Sequence, residues 1–120
     1  MEENAMATGT ASFTIHFPES YTERVEMEMT DKGYFAGPFV ELADGSWYEL
    51  YFYDPVRLAQ DLERMLPHGY PCLARGNMVI VPEVTPTAIQ TAVEHLVHQG
   101  YFRHLKPVER VPAVLSPNGS

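Results

Sequence analysis

Asp44-Gly45 sits between two alternating runs, Phe39-Val40-Glu41-Leu42 and Trp47-Tyr48-Glu49-Leu50-Tyr51-Phe52-Tyr53. Glycine takes a positive φ without steric cost and aspartate tolerates it, so the dipeptide commits the middle of the chain to a hairpin of two antiparallel strands. The upstream strand runs from Tyr34 to Leu42 and is interrupted by Gly37-Pro38, which predicts a bulge or a bend, because proline has no N–H to give a ladder. Further back, Phe13, Ile15 and Phe17 alternate with Ser12, Thr14 and His16, the period of a half-buried strand. Val25, Met27 and Met29 alternate in the same way with Arg24, Glu26, Glu28 and Thr30, between a turn-forming Pro18-Glu19-Ser20 and Asp31-Lys32-Gly33. This pattern predicts a four-stranded meander in sequence order.

After Tyr53 the period changes. Asp54-Pro55 places a side-chain acceptor at an N-cap and a proline at the first helical position, and Leu58, Leu62, Met65 and Leu66 follow at helical spacing as far as Pro67-His68-Gly69. The opposite side of that helix, with Arg57, Gln60, Asp61, Glu63 and Arg64, reads as a solvated face. Met78-Val79-Ile80-Val81 is a β-branched stretch after Gly76-Asn77 and reads as a strand, with Cys72-Leu73-Ala74 as its potential partner. Thr85-Pro86 repeats the capping signal ahead of Ile89, Ala92, Val93, Leu96 and Val97, a second helix that stops at Gly100; Tyr101 to Leu105 reads as a last strand. Strands followed by helices predict the α+β class: a largely antiparallel sheet with two helices packed on one face and the other face open.

With 120 residues, 45% hydrophobic and 20% charged, the chain has material for one core. The expected division is an N-terminal tail over 1–11, one domain over 12–106, and a proline-containing tail over 107–120 that could cover a sheet edge through Val108, Val111, Val114 and Leu115. Sixteen acidic against eight basic residues give a formal charge of −8, which opposes nucleic acid and anionic membranes as partners. A lone cysteine, an acidic N-terminus and the lack of a long apolar run lead to the expectation of a cytoplasmic protein.

The motifs of catalysis are absent from the sequence. The glycines are scattered singly among turns, so no phosphate loop forms, and no Gly-x-Ser-x-Gly elbow is present. Cys72, with His68 four residues before it, reads as a small buried side chain rather than a thiolate nucleophile. His95, His98 and His104 read as surface histidines, since His95 and His98 fall on the side of the helix away from its apolar stripe. No metal and no cofactor is expected.

Aromatic residues carry the functional reading. In the Trp47–Tyr53 strand, alternation sets Trp47, Glu49, Tyr51 and Tyr53 on one side and Tyr48, Leu50 and Phe52 on the other. The structural account is a central strand covered on both faces. The functional account is a patch of Trp47, Tyr51 and Tyr53 on the helix-free face, with Glu49, rimmed by Glu26 and Glu28 and with His16 alongside. Tyr and Trp deliver most binding energy per contact, and an acidic rim suits a basic protein. The expected function is therefore a non-enzymatic, acidic interaction protein. The alternatives are a small-molecule or enzymatic pocket between sheet and helices, built from Tyr, His16 and acidic side chains, and a homodimer contact on the same face.

The string Trp47-Tyr48-Glu49-Leu50-Tyr51-Phe52-Tyr53-Asp54-Pro55-Val56-Arg57-Leu58-Ala59-Gln60-Asp61-Leu62, with Val81-Pro82-Glu83-Val84-Thr85 after it, resembles small bacterial proteins of the mobile gene-cassette (integron) kind. Those proteins share no assigned activity. The resemblance implies a bacterial, cytoplasmic setting and carries over no site residue.

Overall fold

In the computed structural model, which describes residues 12–18, 21–110 and 116–117, strand β1 (Phe13–Phe17) leads into a helix rather than a second strand. Helix α1 (Glu23–Lys32) is capped by Thr22, whose hydroxyl accepts from the Val25 N–H at 3.2 Å, and it ends on Gly33 at φ 69°. The alternation of Val25, Met27 and Met29 misleads because Val25 and Met29 are also four apart, one helical turn. Those two pack on the core while Met27 is 68% exposed. Arg24–Glu28 and Glu28–Lys32 are i,i+4 ion pairs on the outer face. Thr22, the early Glu23 and Glu26, and the closing Lys32-Gly33 are the signals of this helix in the sequence.

Strand β2 (Tyr34–Leu42) pairs antiparallel with β1, placing Ile15 opposite Val40 and Phe13 opposite Leu42. It also pairs antiparallel with β3 (Trp47–Tyr53) across the predicted hairpin. Gly45 takes φ 89° there, and the Asp44 carboxylate accepts from the Ser46 N–H at 2.9 Å, which holds its pKa below the usual range. The predicted bulge lies at Gly37-Pro38, where the register shifts between Ala36 and Phe39. It changes the strand's parity: Tyr34 and Ala36 share a face with Phe39 and Glu41, while Phe35 shares the other with Val40 and Leu42.

Asp54 caps α2 (Pro55–Met65) through a 2.7 Å bond from the Arg57 N–H, and a 3-10 turn at Leu66–His68 follows. The segment 71–75 forms no strand, and Cys72 is exposed rather than buried. Strand β4 (Met78–Ile80) pairs parallel with β3, since the crossover through α2 brings the chain back in the same direction. Thr85 caps α3 (Pro86–His98) through a 3.1 Å bond from Ala88 N–H, and after Gly100 the expected last strand is instead a 3-10 turn, Tyr101–His104, that buries Phe102. A two-residue strand β5 (Ser116–Pro117) lies against His16 and Phe17.

The protein is thus α+β, with a mixed, mostly antiparallel sheet in the order β4-β3-β2-β1-β5 and, among the described residues, three α-helices. Val40, Leu50, Phe52, Val84, Ile89 and Val93 have no exposed surface and form the centre of one core between the first sheet face, α1 and α3. Each such side chain contributes about 1.5–3 kcal/mol by burial. Helix α2 supplies nothing to that core. It lies on the second face, so that face is not open along its whole length. Among the described residues no helix is long and apolar enough to cross a membrane. Residues 1–11 lie outside the described residues.

Candidate functional site

The second face collects the side chains that alternate out of the core. Cross-strand partners His16 and Phe39, Glu41 and Trp47, Phe39 and Glu49, and Ala36 and Tyr51 stand on it, with Met78 beside Tyr51. Two ends differ in what covers them.

At the β1 end, the His16 ring stacks on Trp47 with 4.2 Å between centroids and 18° between planes. His16 Nε2 lies 2.9 Å from Glu41 Oε1, and its side chain is 12% exposed. Phe39 sits 6.5 Å from Trp47, centroid to centroid. The imidazole therefore covers one face of the indole, Phe39 stands tilted beside it, and Trp47, Phe39 and Tyr51 are half-buried. Backbone bonds fix the strand beneath them. The Val108 N–H donates to the Trp47 carbonyl at 2.8 Å and Asn77 Nδ2 to the Glu49 carbonyl at 2.7 Å, satisfying the stretch of β3 that short β4 leaves unpaired. Val108 thus meets a sheet edge as expected, while Val111, Val114 and Leu115 lie outside the described residues. A cleft of about 570 Å³ runs along that edge between Glu49, Asn77 and Leu105 to Glu109.

At the opposite end, α2 and the segment after it close over β3. Tyr53 is 3% exposed and stands 4.7 Å from Tyr34, centroid to centroid. The Arg57 guanidinium lies 5.2 Å above the Tyr34 ring, donates to the Lys32 carbonyl at 3.1 Å and reaches Asp61 at 3.0 Å. Arg64 reaches the same Asp61 oxygen at 3.2 Å. Arg57 and Asp61 are therefore half-buried, unlike the solvated helix face the sequence suggests. Arg75 lies 4.4 Å above the Tyr51 ring. Burial raises the Tyr34 pKa, the nearby Tyr53 adds to the shift, and Arg75 opposes it. Between β3 and α2 is an open cavity of about 370 Å³, lined by Tyr53, Asp61, Arg64, Met65, His68, Tyr70, Leu73 and Arg75.

The residues singled out from the sequence are thus divided. His16 and Trp47 are brought into contact, and Glu49 and Tyr51 share their face further along β3, with Arg75 over the Tyr51 ring. Tyr53 shares their face but is buried under α2. Glu26 and Glu28 belong to α1, which packs on the first face, and form no rim; Glu26 Oε2 instead accepts from the Tyr21 hydroxyl at 2.7 Å. Phe39 and Glu41 join the patch because the bulge turns them outward, a consequence readable from Gly37-Pro38. Arg57 and Arg75 are on the face because of the chain path after β3, for which no local pattern exists. Among the described residues no group of three or more His, Cys, Asp or Glu side chains could hold a metal ion, and His95, His98 and His104 are each exposed.

No family model matches the chain, and no match was found among curated proteins or solved structures.

Proposed function

We propose that the protein is a non-enzymatic binding protein whose contact surface is the Trp47 end of the second sheet face, with a basic protein as partner. The observation that carries this reading is the half-buried indole stacked by His16, with Phe39 beside it and Tyr51 further along the same face. Rigid aromatic side chains lose little entropy on binding and supply most of the energy at interfaces. The acidic character follows from Glu41 and Glu49 on this face and from the formal charge of −8.

The immobilised protein should retain a basic protein from a lysate of its source. Trp47→Ala should weaken retention by about tenfold or more, and rising salt should weaken it further. Retention that is unchanged in Trp47→Ala overturns the assignment of this surface. A wild type that sediments as a dimer, with Trp47→Ala monomeric, assigns the face to self-association instead.

The cavity between β3 and α2 favours a second reading, a small-molecule site between sheet and helix. Its volume of about 370 Å³ lies within the ~300–1,000 Å³ of ligand pockets.

A further inference from the structure

We infer that the cavity between β3 and α2 binds a small organic carboxylate, an inference that rests on the second reading above and names its ligand chemistry. The chain holds eight cationic side chains against sixteen acidic ones, yet two of the eight, Arg64 and Arg75, line this one cavity, and Arg57 pairs with its wall residue Asp61. Asp61 is the carboxylate among its walls, and both Arg57 and Arg64 are already committed to the same oxygen of it. Arg75 has no carboxylate partner among the described residues and rests on the Tyr51 ring, a position that leaves its N–H groups free to the side.

A second, independent observation points the same way. Tyr53 lines the cavity and is 3% exposed, and its hydroxyl has no hydrogen-bond partner among the described residues. Buried polar groups are bonded in the great majority of cases, so an unmatched phenol at a cavity wall marks a place for a ligand oxygen. Tyr O–H and Arg N–H groups are donors suited to an anion, and two of them on one ligand fix its orientation.

The size of the charge selects the anion. The charged side chains that line the cavity, Arg64 and Arg75 against Asp61, sum to one positive charge. A monoanionic carboxylate matches that better than a doubly charged phosphate monoester. Met65, Leu73 and the exposed ring of Tyr70 supply apolar lining, so the carboxylate should carry an aromatic or aliphatic body.

The test is calorimetric titration of the whole protein with 3-phenylpropanoate, its neutral amide, and phenyl phosphate, with backbone amide chemical shifts as a second readout. The carboxylate should bind saturably and move the amides of residues 53 and 61 to 75. Arg75→Gln should weaken it by about tenfold or more, the worth of a charge-assisted hydrogen bond, while the shift map of the unliganded fold stays the same. Tyr53→Phe should weaken it by a smaller factor. Equal binding of the neutral amide overturns the anion assignment and leaves a small-molecule pocket. Tighter binding of phenyl phosphate overturns the choice of carboxylate. Binding by none of the three, or shifts confined to other residues, overturns both this inference and the pocket reading on which it rests.

Discussion

Gly33 joins two helices at one residue. Its φ of 69° closes α1, its N–H donates to the Met29 carbonyl, and its own carbonyl accepts from the Asp54 N–H at 2.9 Å. A Cβ added here would stand 2.5 Å from both carboxylate oxygens of Asp54, the side chain that caps α2. Gly33→Ala therefore loses twice: an L-residue in the left-handed region costs ~1–2 kcal/mol, and a displaced cap costs ~1 more. Chemical denaturation should show a loss of about 2–3 kcal/mol. Asp54→Ala alone should cost about 1 kcal/mol, and the double variant less than the sum, because both changes break the same cap. The sequence shows Gly33 as a turn and Asp54 as a cap. That they touch follows from β2 beginning where β3 ends, Tyr34 opposite Tyr53.

Among the elements, β2 and α1 show how far pattern reading reaches. The bulge in β2 is legible from Gly37-Pro38, and it explains an otherwise conflicting strand, in which Phe35 and Val40 both face the core although they are five residues apart. Deleting Gly37 would restore strict alternation. Both halves keep their faces, since Ala36 and Phe39 would then stand two apart opposite Tyr51 and Glu49, and Pro38 alone would face Leu50 in the ladder. The deletion variant should keep the sheet but lose about 1–3 kcal/mol, seen as a lower denaturation midpoint, because Pro38 has no N–H to give the ladder of a strand paired on both sides. In α1 the reading goes astray for a definite reason. Period two and period 3.6 both accommodate Val25 and Met29, and only the Thr22 cap and the Lys32-Gly33 ending separate them. In α2 and α3 the Asp-Pro and Thr-Pro starts leave no such ambiguity.

For the molecule as a whole, three tyrosines with raised pKa make stability depend on alkaline pH. The Tyr21 phenol is held well above its ordinary value near 10, first by burial, then by its bond to Glu26 and the charge of Glu26. Burial raises Tyr34 and Tyr101 as well. Above about pH 10 the unfolded chain releases these protons while the native protein keeps them, so the native state binds more protons and unfolding becomes easier as pH rises. Stability from these groups is fully present below that pH and declines above it. Urea midpoints followed from about pH 8 to pH 11 should fall at the alkaline end, and Tyr21→Phe should flatten the fall. Native-state phenolate absorbance should show these three of the seven tyrosines titrating late.

The linear chain determined the hairpin, the bulge, the caps of α2 and α3, and the alternation that divides Trp47, Glu49 and Tyr51 from Leu50 and Phe52, because each depends on residues within one or two turns of one another. Tertiary structure decided that α2 crosses over the second face, that Tyr53 is enclosed while Trp47 stays half-open, and that Arg57 and Arg75 settle on the tyrosines. Periodicity records which side of an element is apolar. It holds no record of which distant surface that side will meet, since the meeting is fixed by the path and direction of the intervening chain.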